Sequence, residues 1–419
     1  MTLRLVRSAI YTSGLLALAA ALSGSVEIAY LSLFPLLTLA IFMMVGEPGG
    51  ISVSRSAGKG PYRPGDTVEI TVKLEIEKGM GFVLLRQPLP PELELVGGTN
   101  VWSVFKGPRK LEKEFKMAVR VPRRGKYVLP KVEVYSEPLF KVGAGGHFAA
   151  GDEFVLTVLP LIKPPRRVRT TNTRSSIPIP LTSFSLTGPA STDFKEIREY
   201  RPGDPVKSIN WKASARKGEL LVNEYEREGK KTVMFYVDAR KEMAVGSFIE
   251  NPLEYAISLV SSLAYYFLRR GYNVGLYVIG PGELIMPTAG NRQLYAMVKK
   301  LMEVELAAGS GESIKDAFNK TERILMQYSP LIVLVSNFLY PEETKMALRS
   351  IMKYYRGRPP VIVFDLFPYS MFEGREVELV RLRKKAVENE LRGLAHVFMW
   401  DVKRSDVTSI LARTIRMVR

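Results

Sequence analysis

The 419-residue chain contains no cysteine, which excludes disulfides, thiol catalysis and cysteine-bound zinc or iron–sulfur clusters. It has only two histidines, His147 and His396. His396 lies in the apolar run "LAHVFMW" and reads as a packed strand residue. Neither histidine has a setting that suggests a Ser–His–Asp arrangement. The glycine-rich "GSGES" lacks the lysine and the spacing of a phosphate-binding loop. Asn and Gln are sparse beside Lys, Arg and Glu, a composition shared with thermophilic proteins. Charge is missing altogether from two stretches, residues 8–26 and 28–46.

As a helix, each charge-free run of about 19 residues would extend roughly 28 Å, near the thickness of a bilayer core. "SGSVE" between them suits a tight turn. Arg4 and Arg7 precede the first run, Arg55, Lys59 and Arg63 follow the second, and the turn has no Lys or Arg. The positive-inside rule therefore places both flanks, and the bulk of the chain, in the cytoplasm. "ALAAALSGS" could end a signal peptide, but a second apolar run directly after it favours a membrane hairpin.

The net charge is +18, and Arg4, Arg7, Glu27 and Glu47 cancel within residues 1–50. The whole excess therefore lies in residues 51–419. A basic body can serve an acidic partner or an anionic lipid surface, or can simply be solvated. Tyrosines occur among basic residues in "MKYYRGR", as in nucleic-acid binders, but these charges fit the solvent face and end of a helix. Nucleic acid is accordingly disfavoured as a partner.

Four sections follow from the patterning: a transmembrane hairpin over 1–50, an immunoglobulin-like β-sandwich over 51–160, a linker and motif-rich segment over 161–230, and an α/β domain over 231–419. "DTVEITVKLEI", "FVLLRQPL", "LEKEFKMAVRV" and "KYVLPKVEVY" alternate or are β-branched, predicting an antiparallel sandwich of about seven strands. "IKPPRRVRTTNTR" reads as a basic linker. From residue 231 apolar runs alternate with helical patterns at 291–305, 312–327, 341–355, 376–392 and 405–417. This predicts a Rossmann-like parallel sheet covered on both faces.

In such sheets ligands sit at the carboxyl ends of strands, here Asp238, Asn337 and Asp365. Nothing in the sequence pairs with Asp365. The layout resembles the von Willebrand factor A fold. That resemblance implies a divalent-metal site opened by Asp-x-Ser-x-Ser and completed by a Thr and a second Asp. Here "DARKE" keeps Asp238 but puts Arg240 and Glu242 at the serine positions. Asn337 stands at the late Asp, with Ser310 and Ser313 near the expected Thr. Hard cations need a compact oxygen cage, and a guanidinium beside Asp238 would repel one and pair with the carboxylate instead. No metal and no cofactor are expected.

The pentapeptide "YRPGD" occurs twice, at 62–66 and 200–204. Pro and Gly at its centre suit a type II turn. The second copy lies in "DFKEIREYRPGDPVKSINWKASARKGELLVNEYEREG". There Arg198, Glu199, Arg201, Asp204, Lys207, Lys212 and Arg216 surround Trp211. This segment resembles domain-of-unknown-function family 58 at Phe194, Arg198, Glu199, Tyr200, Pro202, Gly203, Asp204, Ile209, Trp211, Lys212, Ser214, Ala215, Arg216, Gly218, Leu220, Val222, Glu224 and Glu226. The resemblance implies a protein with an N-terminal membrane hairpin that acts with a MoxR-type AAA+ ATPase. It implies no settled activity. The expected function is a membrane-anchored, non-enzymatic adaptor. Its rivals are a metal- or anion-dependent enzyme at the Asp238 strand end and a basic binder of nucleic acid or anionic lipid. In the motif, either the charged residues pair internally and Trp211 is at least half buried, or the segment is an exposed docking surface.

Overall fold

A computed structural model describes residues 2–139, 145–163, 190–201, 204, 206–227, 231–307, 311–338, 341–355, 359–372 and 374–418. The linker at 161–192 therefore lies mostly outside the described residues. The chain divides into two compact units, Met1–Leu159 and Pro160–Arg419.

The charge-free runs fold as helices α1 (Thr2–Ser23) and α2 (Val26–Val45). Gly24, with φ of 61°, turns the chain between them, and Ser25 caps α2 through the Ile28 amide. Ser13 Oγ donates to the Ser32 carbonyl across the pair at 2.6 Å. The remaining surface is strongly apolar, with Tyr11, Leu15, Leu22 and Tyr30 all exposed. Residues Val6–Ser23 are long and apolar enough to cross a membrane, and Val26–Ile41 form a shorter apolar helix.

Ten strands follow: β1 (Gly49–Ala57), β2 (Thr67–Lys78), β3 (Gly81–Arg86), β4 (Glu94–Gly98), β5 (Val101–Lys106), β6 (Leu111–Arg120), β7 (Gly125–Leu129), β8 (Val132–Pro138), β9 (Gly146–Ala150) and β10 (Phe154–Val158). About seven were expected. The excess arises partly because Pro130 divides "KYVLPKVEVY" into β7 and β8, Pro lacking the N–H that a ladder needs. The strands form antiparallel sheets ordered β1-β2-β6-β4 and β5-β3-β8-β9, with β10 paired to β7. Alternate residues of both larger sheets, among them Ile70, Val72 and Val119 opposite Val83, Leu85 and Val134, share one core. That is the period-2 pattern of a sandwich.

In the second unit, β11 (Ala190–Glu199) pairs antiparallel with β12 (Leu221–Arg227), and α3 (Trp211–Lys217) lies in the connection. Then come β13 (Thr232–Asp238), α4 (Pro252–Leu268), β14 (Asn273–Ile279), β15 (Glu283–Thr288), α5 (Asn291–Glu303), α6 (Ile314–Lys320), α7 (Glu322–Tyr328), β16 (Leu331–Ser336), α8 (Pro341–Ile351), β17 (Val361–Phe367), α9 (Arg375–Leu391), β18 (His396–Asp401) and α10 (Val407–Val418). The six-stranded sheet runs β15-β14-β13-β16-β17-β18, parallel except at the β15 edge.

The parallel sheet is as expected; the antiparallel β15 is not, because its alternating "ELIMPT" is half exposed and lacks a long apolar run. The single helix expected over 312–327 is broken at Thr321, which caps α6 and opens α7. β13, β14, β16 and β17 are buried almost throughout. Helices α4, α5 and α10 cover one face and α6 to α9 the other, each with its own core. β13 is flanked by β14, the next strand, on one side and by β16, which follows only after β14 and β15, on the other. The strand order therefore reverses at the carboxyl end of β13, the position where open α/β sheets hold their ligands.

Candidate functional site

Asp238 ends β13 at that reversal point and is fully buried. Four donors meet its carboxylate. The Arg240 amide and Nε each reach Oδ1 at 3.0 Å, Arg240 Nη2 reaches Oδ2 at 2.9 Å, and Ser336 Oγ reaches Oδ2 at 2.6 Å. Arg240 Nη1 turns outward to Glu343 Oε1 on α8 at 2.9 Å, and that oxygen also accepts the Ile314 amide. Burial opposes the guanidinium's charge, but its hydrogen bonds and attraction to Asp238 and then Glu343 hold its pKa above the ordinary arginine value. Glycine makes room for the arginine stem. Gly280 has φ of 111°, and a Cβ there would come within 3.2 Å of Ala307 Cβ and 3.5 Å of Arg240 Cγ.

This donor set does not fit a hard cation. Both oxygens of Asp238 are engaged, and three of their four donors belong to Arg240, two of them on its cationic side chain. Ser313 does not face Asp238 at all: it caps α6 in a reciprocal capping box with Asp316. Ser310 lies outside the described residues. Glu242 contributes its backbone carbonyl, which accepts Asn337 Nδ2 at 2.8 Å. Among the described residues no group of three or more His, Asp or Glu side chains could hold a metal ion.

Asp365, without a partner in the sequence reading, acquires one from α9. Lys384 Nζ donates to Asp365 Oδ1, to Asn337 Oδ1 at 2.8 Å and to the Leu366 carbonyl at 3.2 Å. Lys384 and Asp365 are each 1% exposed. Burial pushes the Asp365 carboxyl up to about 6 against the pull of Lys384, and burial lowers the Lys384 pKa. The signal for Lys384 was present but unread. It stands at helical spacing from Val387 and Leu391, the other buried residues of α9, so a lysine occupies the apolar stripe.

The motif segment forms a second cluster. Arg198 grips Asp204 with two hydrogen bonds, Nη1 to Oδ2 at 2.8 Å and Nη2 to Oδ1 at 2.7 Å. The Arg201 amide donates to Asp204 Oδ2 at 2.8 Å, and the Asp204 amide returns a bond to the Arg201 carbonyl at 3.0 Å. Led by the Arg198 hydrogen bonds, these contacts hold the Asp204 carboxyl at about 2. Pro202 and Gly203 lie outside the described residues. The Tyr200 amide donates to the Leu220 carbonyl, and Glu199 pairs with Lys217 at 3.5 Å. Asn210 caps α3 through the Ala213 amide. Ser214, nearly buried, donates to the Asn210 carbonyl and accepts the Leu221 amide at 2.9 Å, tying α3 to β12.

Trp211 corrects one of the two readings of this segment. It is 63% exposed, not half buried. The reason is local: α3 is two turns long and the residue it buries is Ser214, so Trp211 at its first position projects outward. Lys212 and Arg216, one turn apart, are exposed with it. Ile197, Val206 and Leu220 add exposed apolar surface in the same segment.

A family model described as "Protein of unknown function DUF58" matches residues 196–367, from β11 through β17. The chain is 28% identical over 106 residues to the "Uncharacterized protein YeaD" of Bacillus subtilis (strain 168), a match covering 25% of each chain. It thus spans about a quarter of the length of that relative. Similar solved structures include a non-cellulosomal cohesin from the hyperthermophilic archaeon Archaeoglobus fulgidus, at 15% identity, covering 26% of this chain and 91% of that one with a TM-score of 0.19. They also include PapD-like domain 7 of human CEP192, at 19% identity, covering 26% and 86% with a TM-score of 0.17. A family two carbohydrate esterase from Cellvibrio japonicus aligns at 8% identity over 87% and 96% with a TM-score of 0.20. Scores this low carry no argument about fold or activity.

Proposed function

We propose that this chain is a membrane-anchored, non-enzymatic adaptor of domain-of-unknown-function family 58 that docks a protein partner through the outer face of α3. The observation that carries the reading is the exposure of Trp211, 63%, within the segment that holds the family's residues. An exposed tryptophan in a segment that also exposes apolar and cationic side chains has the composition of a binding hot spot. Lys207, Lys212 and Arg216, exposed in the same segment, suit a partner with an acidic, apolar surface. The family resemblance supports a MoxR-type AAA+ ATPase as that partner.

The non-enzymatic part is supported by the end of β13, where Arg240 and Ser336 engage both oxygens of the Asp238 carboxylate. The order of the sheet, with its antiparallel edge and β13 at the centre, supports a von Willebrand factor A-like domain whose metal position has been taken by an arginine. The anchor is α1 with α2, and the Lys/Arg asymmetry around them supports a cytoplasmic body.

The test is Trp211→Ala in the full-length, detergent-solubilised protein. Stability should change by no more than about 0.5 kcal/mol, as for other surface substitutions. Capture of a purified MoxR-type ATPase from the same source should be lost. Undiminished capture would overturn the docking role.

A further inference from the structure

Two lysines among the described residues are completely or almost completely buried, and they differ in what surrounds the amine. Lys106 Nζ meets only backbone carbonyls, those of Gly79, Gly107 and Arg109 at 3.3, 2.8 and 2.6 Å. Lys384 Nζ meets a side-chain carboxamide, Asn337, and a side-chain carboxylate, Asp365. The first environment caps carbonyls. The second places a nucleophile, an electrophile and a proton carrier within hydrogen-bond contact in a site closed to water.

We propose that Lys384 and Asn337 join in an intramolecular isopeptide bond, with Asp365 carrying the proton. The orientation of the Asn337 carboxamide follows from its partners. Nδ2 donates to the Glu242 carbonyl at 2.8 Å and to the Tyr369 hydroxyl at 3.2 Å, so Oδ1 must face Lys384. The carbon to be attacked is therefore one bond from the oxygen that Nζ already touches. Asp365 Oδ1 takes the ammonium proton, and the neutral amine moves from the edge of the carboxamide to its face. The Nζ–Cγ bond forms and the Cγ–Nδ2 bond breaks. Nζ gives up two protons in all: one passes through Asp365 to Nδ2, which departs as ammonia, and the other stays on Asp365, leaving it as the neutral acid. Nothing is oxidised or reduced, and no co-reactant is required.

Burial favours the required protonation states. It raises the carboxyl pKa and lowers the amine pKa, so the proton shifts toward Asp365 and exposes the amine lone pair. Among the described residues Asp365 Oδ2 is buried without a hydrogen-bond partner, which further disfavours its charged form. The bond would tie α9 to the end of β16, fastening one helical layer to the sheet.

The experiment is the intact mass of the purified full-length chain after denaturation, followed by tryptic peptide sequencing. The expected mass is the sequence mass less one ammonia, with a branched peptide joining Asn337 to Lys384. The sequence mass alone would overturn the proposal. So would an ammonia loss without the branched peptide, or a loss that persists in Lys384→Met, since Asn337 can lose ammonia by closing on its own backbone. Asp365→Asn should show the sequence mass. A branched peptide in that variant would overturn the role of Asp365.

Discussion

The two copies of "YRPGD" adopt the same hydrogen-bonded turn and are held in place differently. In each, the arginine amide donates to the aspartate Oδ2 at 2.8 Å, and the aspartate amide donates back to the arginine carbonyl at 3.0 Å. In the first copy Gly65 takes φ of 89°, the third position of a type II turn. That turn is pinned by backbone: the Gly65 amide reaches the Val121 carbonyl at 2.7 Å, and the Val121 amide reaches the Asp66 carbonyl at 3.0 Å. The second is pinned by a side chain, the two-pronged grip of Arg198 on Asp204. Backbone bonds are indifferent to residue identity, whereas a guanidinium–carboxylate fork specifies both residues. A recognisable sequence signature is therefore expected around the second copy and not the first.

The largest expected effect comes from Ser214, the other side chain that holds the second region. Ser214→Ala strands the buried Leu221 amide and should destabilise the second unit by about 1–3 kcal/mol. Hydrogen exchange at Leu221 should accelerate accordingly. An unchanged rate would mean that backbone alone holds this region too, and the contrast would fail.

Next in size is a matched pair of substitutions. Asn can close the same turn through its side-chain oxygen, so Asp66→Asn should change stability by no more than about 0.5 kcal/mol. Asp204→Asn keeps the turn but removes the charged half of the fork, so its melting temperature should fall further than that of Asp66→Asn. Equal effects would show that the Arg198 contact adds nothing.

The smallest effect is the acid response of the second turn. The folded-state pKa of Asp204 is depressed to about 2 from an ordinary 3.8, chiefly by Arg198 and then by the Arg201 amide. A depressed carboxyl pKa stabilises the fold fully above the unfolded value, and the stabilisation is lost as pH falls through the folded one. Amide exchange at Asp204 should therefore stay slow down to about pH 3.8 and rise as pH approaches 2. Opening above the ordinary carboxylate range would break the comparison.

Much of the architecture was legible before any coordinates because it rests on local patterning. The strand runs of β13, β14, β16 and β17 are apolar at nearly every position, and only a doubly covered parallel sheet buries such strands. The placement of Arg240 on Asp238 was legible too, since the two lie two residues apart at a strand end. The reading failed where partners come from distant elements. Asp365 appeared isolated because Lys384 reaches it from a helix nineteen residues on. Glu343 and Ser336 carried no sign of their roles, being an ordinary first-turn acid and a strand-end serine.

Trp211 shows the division most plainly. Its sequence determined that a large aromatic would open a short, Asn-capped helix among cations, since capping depends on residues within one turn of each other. Whether that aromatic lay inside or outside was decided by tertiary structure. α3 is tied to β12 through Ser214, and that bond sets which face of the helix turns inward. A seven-residue helix has too little apolar surface to choose its own buried face, so one buried hydrogen bond chose it.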